Sequence, residues 1–79
     1  VRIENLVLNQ PAAASEFGEY LRFETLTLCP IDTRCLDASL LRSDEIDWLN
    51  AYHAEVRARL SPHVRGDAKQ WLETRTQAL

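Results

Sequence analysis

The ionisable side chains of this 79-residue sequence fall in a few short strings, and each string admits a limited chemistry. Arg2 and Glu4 stand two apart in Val1-Arg2-Ile3-Glu4-Asn5-Leu6-Val7-Leu8, so an extended backbone puts them on one face. The plain reading is an exposed strand carboxylate paired with its arginine. The sharper one is a site carboxylate, because strands hold ligand groups more rigidly than loops do. Arg22 and Glu24 repeat the spacing further along, and pairing of the two segments predicts cross-strand ion pairs worth roughly a few tenths of a kcal/mol. His53, beside Tyr52, lies on a helical apolar stripe. Without an HExxH or His/Cys pattern, it reads as a packed, hydrogen-bonded histidine rather than a metal ligand. His63 reads as solvated in a turn. Cys29 and Cys35, with five residues between them, match neither a redox CxxC nor a zinc spacing and read as reduced thiols. No serine or cysteine has a base and an orienting acid beside it, so nucleophilic catalysis lacks support. These residues do not encode a complete active site.

Composition narrows the classes further. A content of 46% hydrophobic and 27% charged residues is that of a folded domain, not a disordered or collagen-like chain. Two glycines, Gly18 and Gly66, are too few for a glycine-rich phosphate cradle. Nine basic against twelve acidic residues give a net charge of −3, the wrong sign for nucleic acid or an anionic membrane surface. No apolar run approaches the roughly 20 residues of a membrane span, and no signal-peptide pattern opens the chain. A small, acidic, cytoplasmic domain is expected. At this length it buries only about 60–65% of its unfolded surface.

The elements that must position these residues follow from the hydropathy pattern. Alternation predicts a strand over Val1–Leu8 and a second over Tyr20–Leu28, joined through Pro11 and Gly18 and most simply antiparallel. A strand at residue 1 is expected of a chain cut from something longer. The stretch from Ile31 to Arg42 has no clean period; Asp32 and Asp37 suit turns, with Leu36, Leu40 and Leu41 turned inward. A long helix follows, with Ser43 as N-cap and Ile46, Leu49, His53, Val56 and Leu60 on its apolar stripe. Ser61-Pro62 closes it. A last helix follows Gly66-Asp67, with Asp67 as its cap and Ala68, Trp71, Leu72 and Arg75 inward. Trp48, Tyr52 and Trp71 read as core or interface anchors. The fold class is α+β: an antiparallel strand pair, an irregular stretch and two C-terminal helices.

Three strings carry a more specific signal: Arg2-Ile3-Glu4-Asn5, then Phe23-Glu24-Thr25-Leu26-Thr27-Leu28-Cys29-Pro30-Ile31-Asp32, then Asp47-Trp48-Leu49-Asn50 with Tyr52-His53. In this order they resemble the C-terminal end of aminopeptidase P, the Xaa-Pro aminopeptidase branch of the pita-bread metallopeptidases. The resemblance covers essentially the whole chain. It implies that residues 1–28 end the catalytic pita-bread domain and that residues 29–79 form a helical C-terminal extension able to contribute to dimerisation.

The resemblance also implies a dinuclear metal site, usually two Mn²⁺, held by two aspartates, a histidine and two glutamates. Its bridging glutamate maps onto Glu4, and an arginine implicated in proton relay maps onto Arg2. Hard carboxylate oxygens suit Mn²⁺, and paired metals activate water and polarise a carbonyl. The implied substrates are peptides with proline in second position. The other four ligands have no counterpart in these 79 residues. The chain alone is therefore expected to be inactive and metal-free, with the rest of the catalytic domain as its partner and self-association through the Val1–Leu8 edge. The alternative is a free-standing interaction module derived from the extension.

Overall fold

Antiparallel pairing falls further along the first segment than its alternation predicts. The computed structural model describes residues 2–79, so the expectation for Val1 lies outside the described residues. Strand β1 spans Val7–Pro11 and β2 spans Leu21–Thr25, in antiparallel register from Val7 opposite Thr25 to Pro11 opposite Leu21. Residues 2–5 have no strand opposite them, because the chain after Leu28 leaves the sheet at Pro30 and turns onto the helix. At the other end, Pro11 lacks an N–H but closes the strand, a position where proline is tolerated. The next amide, Ala12, donates to the Tyr20 carbonyl at 2.8 Å. Ser15 and Gly18 then exchange backbone bonds of 2.9 and 3.0 Å, leaving Glu16 and Phe17 at the tip of the hairpin. Gly18 sits at φ 129°, a conformation that side-chain-bearing residues rarely adopt.

The irregular stretch contains two single 3₁₀ turns, Thr33–Cys35 and Ala38–Leu40. Asp32 and Asp37 cap them, accepting from the Arg34 and Ser39 amides at 3.0 Å each. Leu36 and Leu41 are half-buried, but Leu40 points outward, 81% exposed. A turn of three residues presents only one narrow face to the body, and Leu40 falls outside it.

Helix α1 spans Ser43–Leu60 and α2 spans Asp67–Arg75. Ser43 is the first residue of α1 rather than its N-cap, which is Arg42. Glu45 moves the start by one: its carboxylate reaches back to accept the Arg42 amide at 2.9 Å, half of a capping box. Helix α1 ends at Leu60 as expected, yet Ser61 stays helical (φ −53°, ψ −40°). Pro62 lies in the first turn of a following 3₁₀ segment, Ser61–His63, where its missing N–H costs nothing. Gly66, not Asp67, precedes α2, at φ 58°.

Leu49, Tyr52, His53 and Val56 are buried along α1, as its stripe predicts. From α2 only Leu72 joins them. Trp71 remains 52% exposed and Ala68 is exposed, because a nine-residue helix touching one neighbour buries a single turn. Thr76, just past α2, is buried instead, its hydroxyl donating to the Leu72 carbonyl at 2.7 Å and accepting from Arg57 Nε at 2.8 Å. Leu28, Ile31, Leu60 and Val64 pack against the cluster of Tyr52, Val56 and Leu72. The hairpin takes no part in this core. Its Leu6, Phe17, Leu21 and Phe23 are 69%, 83%, 68% and 72% exposed. The molecule is correspondingly elongated, with a radius of gyration of 15.4 Å against roughly 12 Å for a compact domain of this length.

Candidate functional site

Arg2 and Glu4 form the ion pair their spacing predicts, Nε to Oε1 at 2.8 Å, with side chains 84% and 64% exposed. So exposed a pair adds little stability. Between them Ile3 borders an open groove of about 440 Å³ lined also by Leu41, Asp44, Glu45, Trp48 and Leu49. After them the Asn5 side-chain nitrogen is buried with no hydrogen-bond partner among the described residues. Leu6 is held at both polar atoms: its amide donates to Thr27 Oγ1 at 2.7 Å and its carbonyl accepts from the Leu26 amide at 2.8 Å.

The second strand behaves differently. Glu24 stands opposite Leu8, and Arg22 stands opposite Gln10. Glu24 accepts from the Gln10 side-chain amide, and no cross-strand ion pair forms among the described residues. The register decides this, because it sets no opposite charge against either residue.

Tyr52 and His53 face the chain leaving β2. The Tyr52 hydroxyl accepts the Cys29 amide at 3.1 Å and lies within donating distance of the Cys29 and Thr27 carbonyls, at 2.8 and 3.1 Å. His53 Nε2 accepts the Ile31 amide at 3.0 Å. Its proton therefore sits on Nδ1, which is buried without a partner among the described residues. Burial pushes the imidazole below its ordinary value of 6.5. This is the packed, hydrogen-bonded histidine its position predicts. Trp48 stacks parallel on Tyr52, ring centres 5.4 Å apart. Elsewhere, the Arg34 side chain and amide hold the Asp32 carboxyl well below the usual carboxylate range.

The carboxylate at Glu4 is an exposed hard oxygen donor two residues before the anchored Leu6, so it fits the part of one ligand to a hard divalent metal. No group of three or more His, Cys, Asp or Glu suited to holding a metal forms among the described residues. One carboxylate is too few donors to hold a metal ion, so a site at Glu4 needs donors besides those of the described residues. Thr27 was legible only as a strand residue: nothing in its spacing separates it from Thr25, and the exit of the chain at Pro30 makes its hydroxyl the partner of Leu6.

With this geometry in view, comparison with known proteins is specific. Residues 19–79 match the model of the C-terminal region of peptidase M24. The whole chain is 46% identical over 83 residues to aminopeptidase P2 of Arabidopsis thaliana, and covers 12% of that protein. It is 43% identical over 81 residues to the probable Xaa-Pro aminopeptidase P of Coprinopsis cinerea, with 96% of this chain and 13% of that protein covered. An X-prolyl aminopeptidase from Caenorhabditis elegans, a cytosolic enzyme with a di-nuclear active site, superposes with a TM-score of 0.78 at 35% identity. That superposition covers 100% of this chain and 14% of the worm enzyme. The strand pair followed by two helices is thus a pita-bread aminopeptidase fold element. The chain spans about one eighth of the length of these relatives. It belongs to the peptidase M24 family, as the C-terminal region of that family in its aminopeptidase P branch.

Proposed function

We propose that this chain completes the catalytic domain of a Xaa-Pro aminopeptidase, releasing the N-terminal residue from peptides with proline in second position, and is inactive by itself. The observation that carries this is a lone carboxylate, Glu4, beside a buried, unpartnered Asn5 amide in a segment with no strand opposite it. Such a segment has polar groups awaiting partners, and buried polar groups are normally paired. Residues 1–28 belong to the catalytic domain, and residues 29–79 are the extension that packs on it. By the family resemblance, Glu4 would supply one carboxylate to a two-manganese site, and Arg2 would serve proton relay or the substrate side. When bound, the metals supply an activated water and a polarised carbonyl. The cytosolic worm enzyme supports a cytoplasmic location.

In the full-length enzyme, Glu4→Gln keeps the fold and lowers Xaa-Pro cleavage by at least about a hundredfold, since even outer-shell changes at metal sites cost 10–100-fold. The 79-residue chain titrated with Mn²⁺ in a calorimeter gives no stoichiometric heat. Tight one-to-one or two-to-one binding by the chain alone would overturn the inactivity. A second reading, a free-standing interaction module, draws on Trp48 and Trp71, 47% and 52% exposed on the two helices. The reading frame immediately upstream separates the two: the missing Asp, Asp, His and Glu support the enzyme, a start codon at this boundary the module.

A further inference from the structure

We propose that Thr27 and Tyr52 are positioning residues for the segment that carries Arg2 and Glu4. The inference rests on the assignment of Glu4 as a metal ligand for its consequence, but not for its geometry. Among the described residues the polar partner of the Glu4 carboxylate is Arg2, through an exposed ion pair that does not fix its place. Backbone fixation has to come from its neighbours. Two residues on, the Leu6 amide has no ladder partner in β2 and is satisfied by the Thr27 hydroxyl at 2.7 Å. An exposed strand amide could bond water; bonding a side chain instead ties the segment to one position.

Thr27 is itself held. Its carbonyl lies 3.1 Å from the Tyr52 hydroxyl, which also engages both backbone groups of Cys29. The His53 acceptor for the Ile31 amide, one helical position on, doubles the anchorage. Tyr52 is only 7% exposed, clamped by Trp48 on one ring face, and belongs to the middle of the 18-residue α1. The path thus runs from the 18-residue helix α1 through the Tyr52 hydroxyl to Thr27, to the Leu6 amide and two residues back to Glu4. On the other side of Glu4, Ile3 lines the same open groove as Trp48 and Leu49 of that helix. The segment that carries this ligand is therefore registered against α1 through the hydrogen bonds of Thr27. This gives the helical extension a part in the chemistry besides packing: it sets where the carboxylate stands.

The test is made in the full-length enzyme. Thr27→Val preserves shape and removes the acceptor, and Thr27→Ser keeps the acceptor. The expected result for Thr27→Val is faster hydrogen exchange at Leu6 and about a tenfold weaker affinity of the metal-stripped protein for Mn²⁺, in line with outer-shell losses. kcat falls at limiting metal while KM for an Xaa-Pro peptide is unchanged, and Thr27→Ser restores both readouts. Tyr52→Phe, which removes only the hydroxyl, moves them the same way and decides the matter if Thr27→Val does not fold. Gly66→Ala, remote from the path, lowers stability without changing Mn²⁺ affinity, which separates positioning from general loosening. Wild-type Mn²⁺ affinity and Leu6 exchange in Thr27→Val or Tyr52→Phe would overturn the inference. The two readings fail distinguishably. Full metal binding and activity in Glu4→Gln removes the ligand assignment and with it the consequence for metal. Loss in Glu4→Gln beside wild-type behaviour in Thr27→Val removes the positioning role alone.

Discussion

His53 shows how one side chain acquires a structural duty from its surroundings. Fully buried, with Nε2 accepting the Ile31 amide, it is useful only when neutral. A second proton would place N–H against N–H and leave a charge out of water. Its folded-state value lies below the ordinary 6.5 of the unfolded chain, so the unfolded state binds more protons in the window below 6.5. The contribution to stability is accordingly complete above 6.5 and lost as pH falls toward the depressed value. Thermal unfolding of the full-length enzyme, or exchange at Ile31, is expected to show a destabilisation between neutral and mildly acidic pH. His53→Gln, which can accept the same amide without titrating, flattens it. An equal slope in both proteins would assign the titration to another group. At this scale the sequence was informative about type: a lone histidine on an apolar stripe is packed, and it is. What it accepts from could not be read, because Ile31 is brought opposite only by the turn at Pro30.

The elements are set by residues at their ends. The stripe of α1 located the helix, while the start shifted by one because Glu45 satisfies the Arg42 amide and Arg42 in turn pairs with Asp44. The start of α2 depends on Gly66 at φ 58°, ψ −130°, where nothing lies within 4 Å of an added Cβ. Gly66→Ala therefore meets no neighbour, and its penalty is backbone strain alone, about 1–3 kcal/mol. Faster hydrogen exchange across Asp67–Arg75, with α1 unchanged, is the expected signature. Protection equal to wild type would show that the backbone shifts freely to another conformation. The strands were the least legible elements. Alternation over Val1–Leu8 is real, but a strand is defined by its partner, and the partner ends where Pro30 and Tyr52 draw the chain away.

As a whole, the molecule is a small helical core with a hairpin projecting from it, 50 × 33 × 19 Å. Leu21 and Phe23 lie in β2, Leu8 lies in β1 and Leu6 just precedes it, all of them exposed, and among the described residues both outer edges of the two-stranded sheet are unpaired. Two-stranded sheets are marginal in water, and bare edges recruit other chains. The 79-residue chain by itself is therefore expected to self-associate through the hairpin. Light scattering should give a mass that rises with concentration, and the double change Leu21→Lys and Phe23→Lys should return it toward monomer. A sharp monomer mass at high concentration would refute this. On the function proposed above, the rest of the catalytic domain covers this surface in the full-length enzyme, and there the lysine pair is expected to cost stability instead.

The sequence by itself determined the class of each segment and the family. Periodicity fixes the apolar stripe of α1, caps and glycines fix the breaks, and three ordered strings fix the aminopeptidase P resemblance. These are local properties, written in residue type and spacing. Tertiary structure decided the rest: the register that denies Glu24 an arginine, the outward turn of Leu40 and Trp71, the burial of Thr76, and the link from Tyr52 through Thr27 to Leu6. Each depends on which distant backbone group happens to stand within about 3 Å, and no spacing along the chain specifies that before the chain has folded.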